Sequence, residues 1–222
     1  MKIFLDTANT EDIKSAYDTG LIDGVTTNPT LILKSGRQLD EVARELCYLF
    51  TNLESVSTEV VGDTCEQMLT EARKYHTIDP KITIKVPCTV EGLKACKTLN
   101  DMGIQTNVTL VFSLSQAILA SKAGATFVSP FVGRWLDNSV DGVDLIKNIS
   151  SYFKRNNVST KLLAASIRDV RQVELCARQG ADVITIPPSV FWKMYNNILT
   201  DQGLEQFKKD WDNVIHATDF CD

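Results

Sequence analysis

The chain has 222 residues, of which 44% are hydrophobic and 23% charged, and its formal net charge is −5. These proportions suit a globular protein with a sizeable buried core, and the acidic balance argues against a nucleic-acid-binding surface. No run of eighteen apolar residues occurs, so no membrane span is expected, and MKIFLDTANT reaches Asp6 too early for a signal-peptide core.

Short β-rich runs alternate with longer amphipathic stretches along the chain. The first strand is predicted over Lys2–Asp6 and the second over Gly24–Asn28; a helix over Leu39–Thr51 leads to a third strand, Val56–Val61. The helical pattern Cys65–His76 precedes strand Ile82–Val86, Val90–Met102 precedes Ile104–Thr109, and Leu114–Lys122 precedes Ala125–Pro130. Val143–Phe153 then leads to Lys161–Ser166, and Val170–Arg178 to Asp182–Ile186. Each helical stretch has apolar residues three and four apart. Gly20, Gly103, Gly124 and Gly180 stand where the C′ residue of a helix belongs.

Strands separated by helices imply a parallel sheet, because parallel neighbours need crossover connections. Eight such units in 222 residues fit a single-domain (β/α)8 TIM barrel of the α/β class over residues 1–222, with 188–222 as a C-terminal helical extension. An open doubly wound sheet is the rival, but no G-x-G-x-x-G follows the first strand.

Six cysteines, at 47, 65, 88, 96, 176 and 221, form no C-x-x-C pair and match no zinc spacing. They read as reduced packing cysteines of a cytoplasmic protein. His76 and His216 lie far apart near segment ends, and neither is assigned a metal or catalytic role.

The fourth strand carries the most informative alternation. Ile82, Ile84 and Val86 share one face, which should meet the helices, and Thr83, Lys85 and Pro87 share the other. Lys85 is thereby predicted to point into the barrel, where loss of hydration disfavours an ammonium and favours a nucleophilic amine. Polar residues recur near the C-terminal ends of the other strands: Asp6, Asn28, Glu59, Asn107, Thr109 and Ser129, with Ser166 and Arg168 after the seventh. Barrel active sites gather at that rim. Arg134 and Arg168, with the Ser166 hydroxyl and loop N–H groups, have the makings of a phosphate cradle.

Several phrases then resemble one family. They are F-L-D-T-A at the start, G-V-T-T-N-P-T at 24–30, I-K-V-P at 84–87 followed by T-V-E-G-L, P-F-V-G-R at 130–134 and L-A-A-S-I-R at 163–168. In this order they resemble the short branch of the transaldolase family, which also contains fructose-6-phosphate aldolases. The resemblance implies a (β/α)8 barrel and a Schiff base on Lys85, with Asp6 as acid/base and Glu59 and Thr109 holding a catalytic water. It also implies that Asn28, Asn107 and Ser129 contact the dihydroxyacetone part of the substrate, and that Arg134, Ser166 and Arg168 hold its phosphate. Phosphosugar substrates and a homo-oligomer, a pentamer or decamer, are expected on the same ground, with no nucleic-acid or membrane partner. No metal or cofactor is implied, because the imine supplies the polarisation a Lewis acid otherwise would.

By the same resemblance, the aldolases carry tyrosine at the position of Phe131 and glutamine at that of Glu59. A phenyl ring has no proton to give an enamine, and a glutamate can shuttle protons through water. The expected activity is transfer of a dihydroxyacetone unit from sedoheptulose 7-phosphate or fructose 6-phosphate to glyceraldehyde 3-phosphate or erythrose 4-phosphate. Fructose-6-phosphate cleavage is the near alternative, and a non-catalytic sugar-phosphate-binding barrel the alternative of another class.

Overall fold

The computed structural model describes residues 1–138 and 140–218. The chain begins with β1 (Lys2–Asp6), α1 (Thr10–Tyr17), β2 (Gly24–Thr26), α2 (Pro29–Ser35), α3 (Leu39–Leu49) and β3 (Ser55–Glu59). It continues through α4 (Cys65–His76), β4 (Ile82–Pro87), α5 (Val90–Asp101), β5 (Thr106–Val111), α6 (Leu114–Lys122) and β6 (Phe127–Pro130). Then come α7 (Val132–Leu136), α8 (Gly142–Arg155), β7 (Lys161–Ala164), α9 (Val170–Arg178), β8 (Val183–Ile186), α10 (Pro188–Lys193) and α11 (Ile198–Thr218).

The strands close into a parallel barrel in the order β1 to β8, with β8 pairing back to β1. The (β/α)8 expectation therefore holds, extra C-terminal helices included. The residues divide into a barrel unit, Met1–Phe191, and a second unit beginning at Trp192. In the second unit, α11 exposes Leu204, Phe207 and Trp211, which are three and four residues apart.

Local chemistry accounts for most element boundaries. Thr64 and Gln67 form a reciprocal capping box at the start of α4, and the side chains of Thr89, Ser113 and Asp169 cap α5, α6 and α9. The four expected C′ glycines all have positive φ, from 72° at Gly20 to 88° at Gly180. The second strand is shorter than the pattern suggests: it stops at Thr26, and Asn28 caps α2 by accepting from the Leu31 N–H at 3.0 Å, with Pro29 at the first helical position. Helices α1, α2 and α7, of 8, 7 and 5 residues, are too short to leave a readable periodicity. The fifth strand starts later than predicted and runs on to Val111 through a register shift after Val108.

Two apolar assemblies hold the barrel unit together. The larger lies between strands and helices and includes Ile82, Ile84 and Val86, the face of β4 assigned to it above. The smaller consists of Phe4, Phe127, Leu163, Ala165 and Val183, with Phe131 packed against it. Its members alternate with the outer core along their strands and fill the barrel interior. The Phe4 and Phe127 rings meet edge to face, with centroids 5.7 Å apart. Gly24 lets this happen, because a Cβ there would stand 2.7 Å from the Phe4 ring.

Candidate active site

At the C-terminal end of the strands the interior opens into a cavity of about 570 Å³. Its wall includes Asp6, Asn28, Glu59, Lys85, Asn107, Ser129, Phe131, Arg134, Ser166 and Arg168. The structure thus gathers these sequence-predicted residues at one mouth, from positions spread over the whole barrel. Thr109 does not line the cavity; it stands opposite Pro87 in the β4–β5 ladder, its hydroxyl buried and without a protein partner.

Lys85 points inward and is 5% exposed. Its Nζ lies 2.9 Å from Glu59 Oε2 and donates to the Thr27 carbonyl at 3.1 Å. The β3–β4 register places Glu59 directly opposite Lys85. The lysine therefore does not stand alone among apolar walls, as its strand neighbours by themselves suggest, but in a buried ion pair.

Asp6 faces the same space from β1. Burial pushes its carboxyl above the ordinary aspartate value, while the Lys85 charge and the Thr26 hydroxyl pull it back in part. Thr26 Oγ1 donates to Asp6 Oδ1 at 2.8 Å. On the opposite wall, Ser129 donates to Asn107 Oδ1 at 2.6 Å, and Asn107 Nδ2 donates to Ser57 Oγ at 3.4 Å. This chain fixes the Asn107 amide, so its orientation does not depend on a ligand.

A cationic side of the mouth is built from α7 and the segment after β7. The Arg134 guanidinium lies 5.0 Å over the Phe131 ring. Arg168 is gripped by Asp137 through both terminal nitrogens, Nη2 at 2.6 Å. Arg168 Nε and Ser166 Oγ both lie 3.0 Å from where a Cβ would stand on Gly133, so the two donors converge over the bare glycine. Ser166 itself has φ 60°.

Several contributors escaped the sequence reading: Thr26, Lys34, Leu110 and Thr185 line the cavity, and Asp137 holds Arg168. Thr26 shares the inward parity of Gly24 and stands opposite Asp6, a signal that strand alternation could have supplied. Leu110 had no signal, since nothing about a leucine announces φ 58°. Two non-glycine residues in the left-handed region, Leu110 and Ser166, thus border one cavity, where such strain tends to concentrate.

Elsewhere the described cysteines are free, and burial raises Cys47 to about 11 and Cys176 to about 12, which leaves both as unreactive packing groups. Cys221 lies outside the described residues. His76 ends α4 with Nδ1 buried and unpaired, and the side chain of His216 is outside what the structure describes. Among the described residues no group of three or more His, Cys, Asp or Glu is placed to hold a metal, and no helix is long and apolar enough to cross a membrane.

The chain is similar to known proteins over nearly its whole length. The chain is 51% identical over 214 residues to a probable transaldolase of Roseobacter denitrificans, covering 96% of this chain and 98% of the relative. A probable transaldolase of Cereibacter sphaeroides is 52% identical over 211 residues, covering 95% of each chain, and one of Paracoccus denitrificans is 51% identical over 211 residues, covering 95% and 96%. Residues 3–218 match the family described as Transaldolase/Fructose-6-phosphate aldolase, and the chain belongs to that family of enzymes.

Proposed function

We propose that the protein is a transaldolase that carries a dihydroxyacetone unit on Lys85 between two phosphosugars. The observation that carries this reading is the buried Lys85–Glu59 pair at 2.9 Å in a cavity shared with Asp6. On arrival of a ketose phosphate, Glu59 takes the ammonium proton and the neutral amine attacks the C2 carbonyl. The nitrogen passes a proton to the new alkoxide, Glu59 returns its own proton to the carbinolamine hydroxyl so formed, and that group leaves as water. The resulting iminium is an electron sink.

Asp6 then removes the proton of the C4 hydroxyl. The C3–C4 bond breaks, its electron pair passes into the iminium to give an enamine, and the aldose phosphate departs. A carboxylate whose basicity is raised by burial suits this role better than a hydrated one. Asn28, Asn107 and Ser129 hold the hydroxyls of the three-carbon fragment, and Arg134, Ser166 and Arg168 hold the phosphate. The enamine carbon attacks the aldehyde of the acceptor, Asp6 returns its proton to the new C4 oxygen, and hydrolysis of the imine frees Lys85. Sedoheptulose 7-phosphate or fructose 6-phosphate would be donors, and glyceraldehyde 3-phosphate or erythrose 4-phosphate acceptors.

Transfer rather than simple cleavage is favoured by Phe131, whose ring lines the cavity and packs on Phe112 with centroids 5.8 Å apart. It offers the enamine no proton. Free described cysteines support a cytoplasmic setting, and the exposed Leu204, Phe207 and Trp211 of α11 support assembly of several copies, a pentamer or decamer by the resemblance.

Borohydride reduction in the presence of fructose 6-phosphate, followed by mass spectrometry, tests the reading. A three-carbon adduct on Lys85 is expected; an adduct on another residue, or none, overturns it. Sustained release of free dihydroxyacetone without an acceptor would assign the aldolase reaction instead. Phe131→Tyr should raise that release severalfold, and an unchanged rate would remove the ring from control of enamine protonation.

A further inference from the structure

Thr185 of β8 is buried, 3% exposed, and the mechanism above leaves it without a task. Its Oγ1 lies 2.7 Å from Thr26 Oγ1, which in turn lies 2.8 Å from Asp6 Oδ1. The three groups come from β8, β2 and β1, and the contact passes over the strand between: Thr26 stands opposite Asp6 in one ladder, and Thr185 opposite Phe4 in the other.

Proton counting gives this chain a direction. A threonine hydroxyl has one proton to donate, and an ionised carboxylate can only accept. The bond between Thr26 and ionised Asp6 must therefore use the Thr26 proton. None is left for Thr185, so Thr185 donates to Thr26. The only arrangement that satisfies both contacts runs from Thr185 to Thr26 to Asp6. A hydroxyl that accepts one hydrogen bond is polarised into a better donor for the next.

We propose that Thr185 is a positioning residue of the transfer reaction, which fixes the Thr26 hydroxyl so that its proton is always presented to Asp6. Its role is to hold the ionised base ready without touching the reacting carbons. The inference rests on the assignment of Asp6 as the base that opens the C3–C4 bond. The charged groups sharing the cavity with Asp6 are Lys85 of β4, Glu59 of β3, Lys34 of α2, Arg134 of α7 and Arg168 after β7, and none of them is altered by changing Thr185. Burial already raises the Asp6 carboxyl and the Thr26 bond lowers it, so weakening that bond raises it further.

The test is the pH dependence of the first half-reaction, read as release of glyceraldehyde 3-phosphate from fructose 6-phosphate in a single turnover. Thr185→Val keeps the shape and removes the donor. Its acid limb should move to higher pH by about half to one unit, equivalent to a roughly three- to tenfold lower rate below the limb. Thr185→Ser should restore the wild-type limb, and Thr185→Ala should reproduce the shift should the valine disturb packing. Borohydride trapping of dihydroxyacetone on Lys85, which needs no C4 proton transfer, should be unchanged in every variant. A wild-type protein that leaves no such adduct overturns the Schiff-base reading of Lys85, and this inference with it. A wild-type adduct combined with an unmoved limb, or a rate lowered equally at all pH, overturns the inference alone.

Discussion

One step of two residues along the strands separates two different interiors. At the lower level stand Phe4, Phe127, Leu163 and Val183, packed as one apolar group. Two residues further along the same strands stand Asp6, Ser129, Ala165 and Thr185, all in the cavity wall. The lower level is not apolar all round: on its other side Ser55 and Thr83 satisfy each other at 2.7 Å, which lets hydroxyls be buried without a charge. The upper level instead concentrates ionisable groups. Lys85 and Asp6 are largely withdrawn from solvent, and there the Lys85–Glu59 contact and the Asp6 hydrogen bond act at greater strength than in bulk water. Stability and chemistry are thus divided by level, with the same eight strands serving both.

The comparison breaks first at Lys85. Lys85→Met should lower transfer by more than about a thousandfold, because the proposed Schiff base cannot form without this amine. Far-ultraviolet circular dichroism should stay native, and the borohydride adduct should vanish. At the lower level the effect should invert. Phe4→Ala removes a fully buried ring and should cost about 3–5 kcal/mol of stability. Turnover per folded molecule, measured well below the unfolding midpoint, should change by less than about threefold on the scale where a factor of ten is 1.4 kcal/mol. A loss of turnover comparable to that of Lys85→Met would show that the two levels do not act separately.

A smaller effect sharpens the upper level itself. Gly133→Ala would place a Cβ 2.1 Å from the Ser166 carbonyl oxygen and 3.0 Å from Arg168 Nε. The segment has to shift, and the proposed phosphate cradle opens. The KM for glyceraldehyde 3-phosphate as acceptor should rise about tenfold, the equivalent of losing one charge-assisted hydrogen bond. Glyceraldehyde without a phosphate should be used at its wild-type efficiency. Equal losses with both acceptors would place the phosphate elsewhere.

What could be read from the sequence and what could not divide along local and non-local lines. The inward turn of Lys85 follows from its neighbours, because Ile82, Ile84 and Val86 claim the helix-facing side. Helix caps are equally local: Thr64 and Gln67 are three residues apart. The Glu59–Lys85 pairing depends on the register between β3 and β4, which barrel closure sets and neither strand encodes alone. The same holds for Asp137 and Arg168, 31 residues apart, and for Thr26 and Thr185, 159 apart. Leu110 is a different case, since its left-handed backbone belongs to the irregularity that lets β5 shift register against β6. Side-chain direction was readable; partnership was not: the family resemblance grouped Glu59 with Lys85 without giving their contact, and it named none of Asp137, Thr26 and Thr185.

The smallest effect concerns what the upper level costs the fold. Burial dominates at Asp6 and raises its carboxyl above the ordinary value, so the folded protein binds that proton more tightly than the unfolded chain does. The sign follows from linkage: the stabilising contribution is complete below the unfolded-state value and is lost as pH rises through the higher folded-state value. Above that value the protein keeps a base ready at the expense of stability. Asparagine cannot ionise, so Asp6→Asn should abolish transfer while removing the pH-dependent loss. Urea denaturation at about pH 4 should then show the variant and the wild type nearly level, with the variant gaining toward about pH 8. A variant that is less stable than wild type at the higher pH would mean that the attraction of Lys85 outweighs the lost hydration of Asp6, and that the charged mouth of the barrel is a source of stability after all.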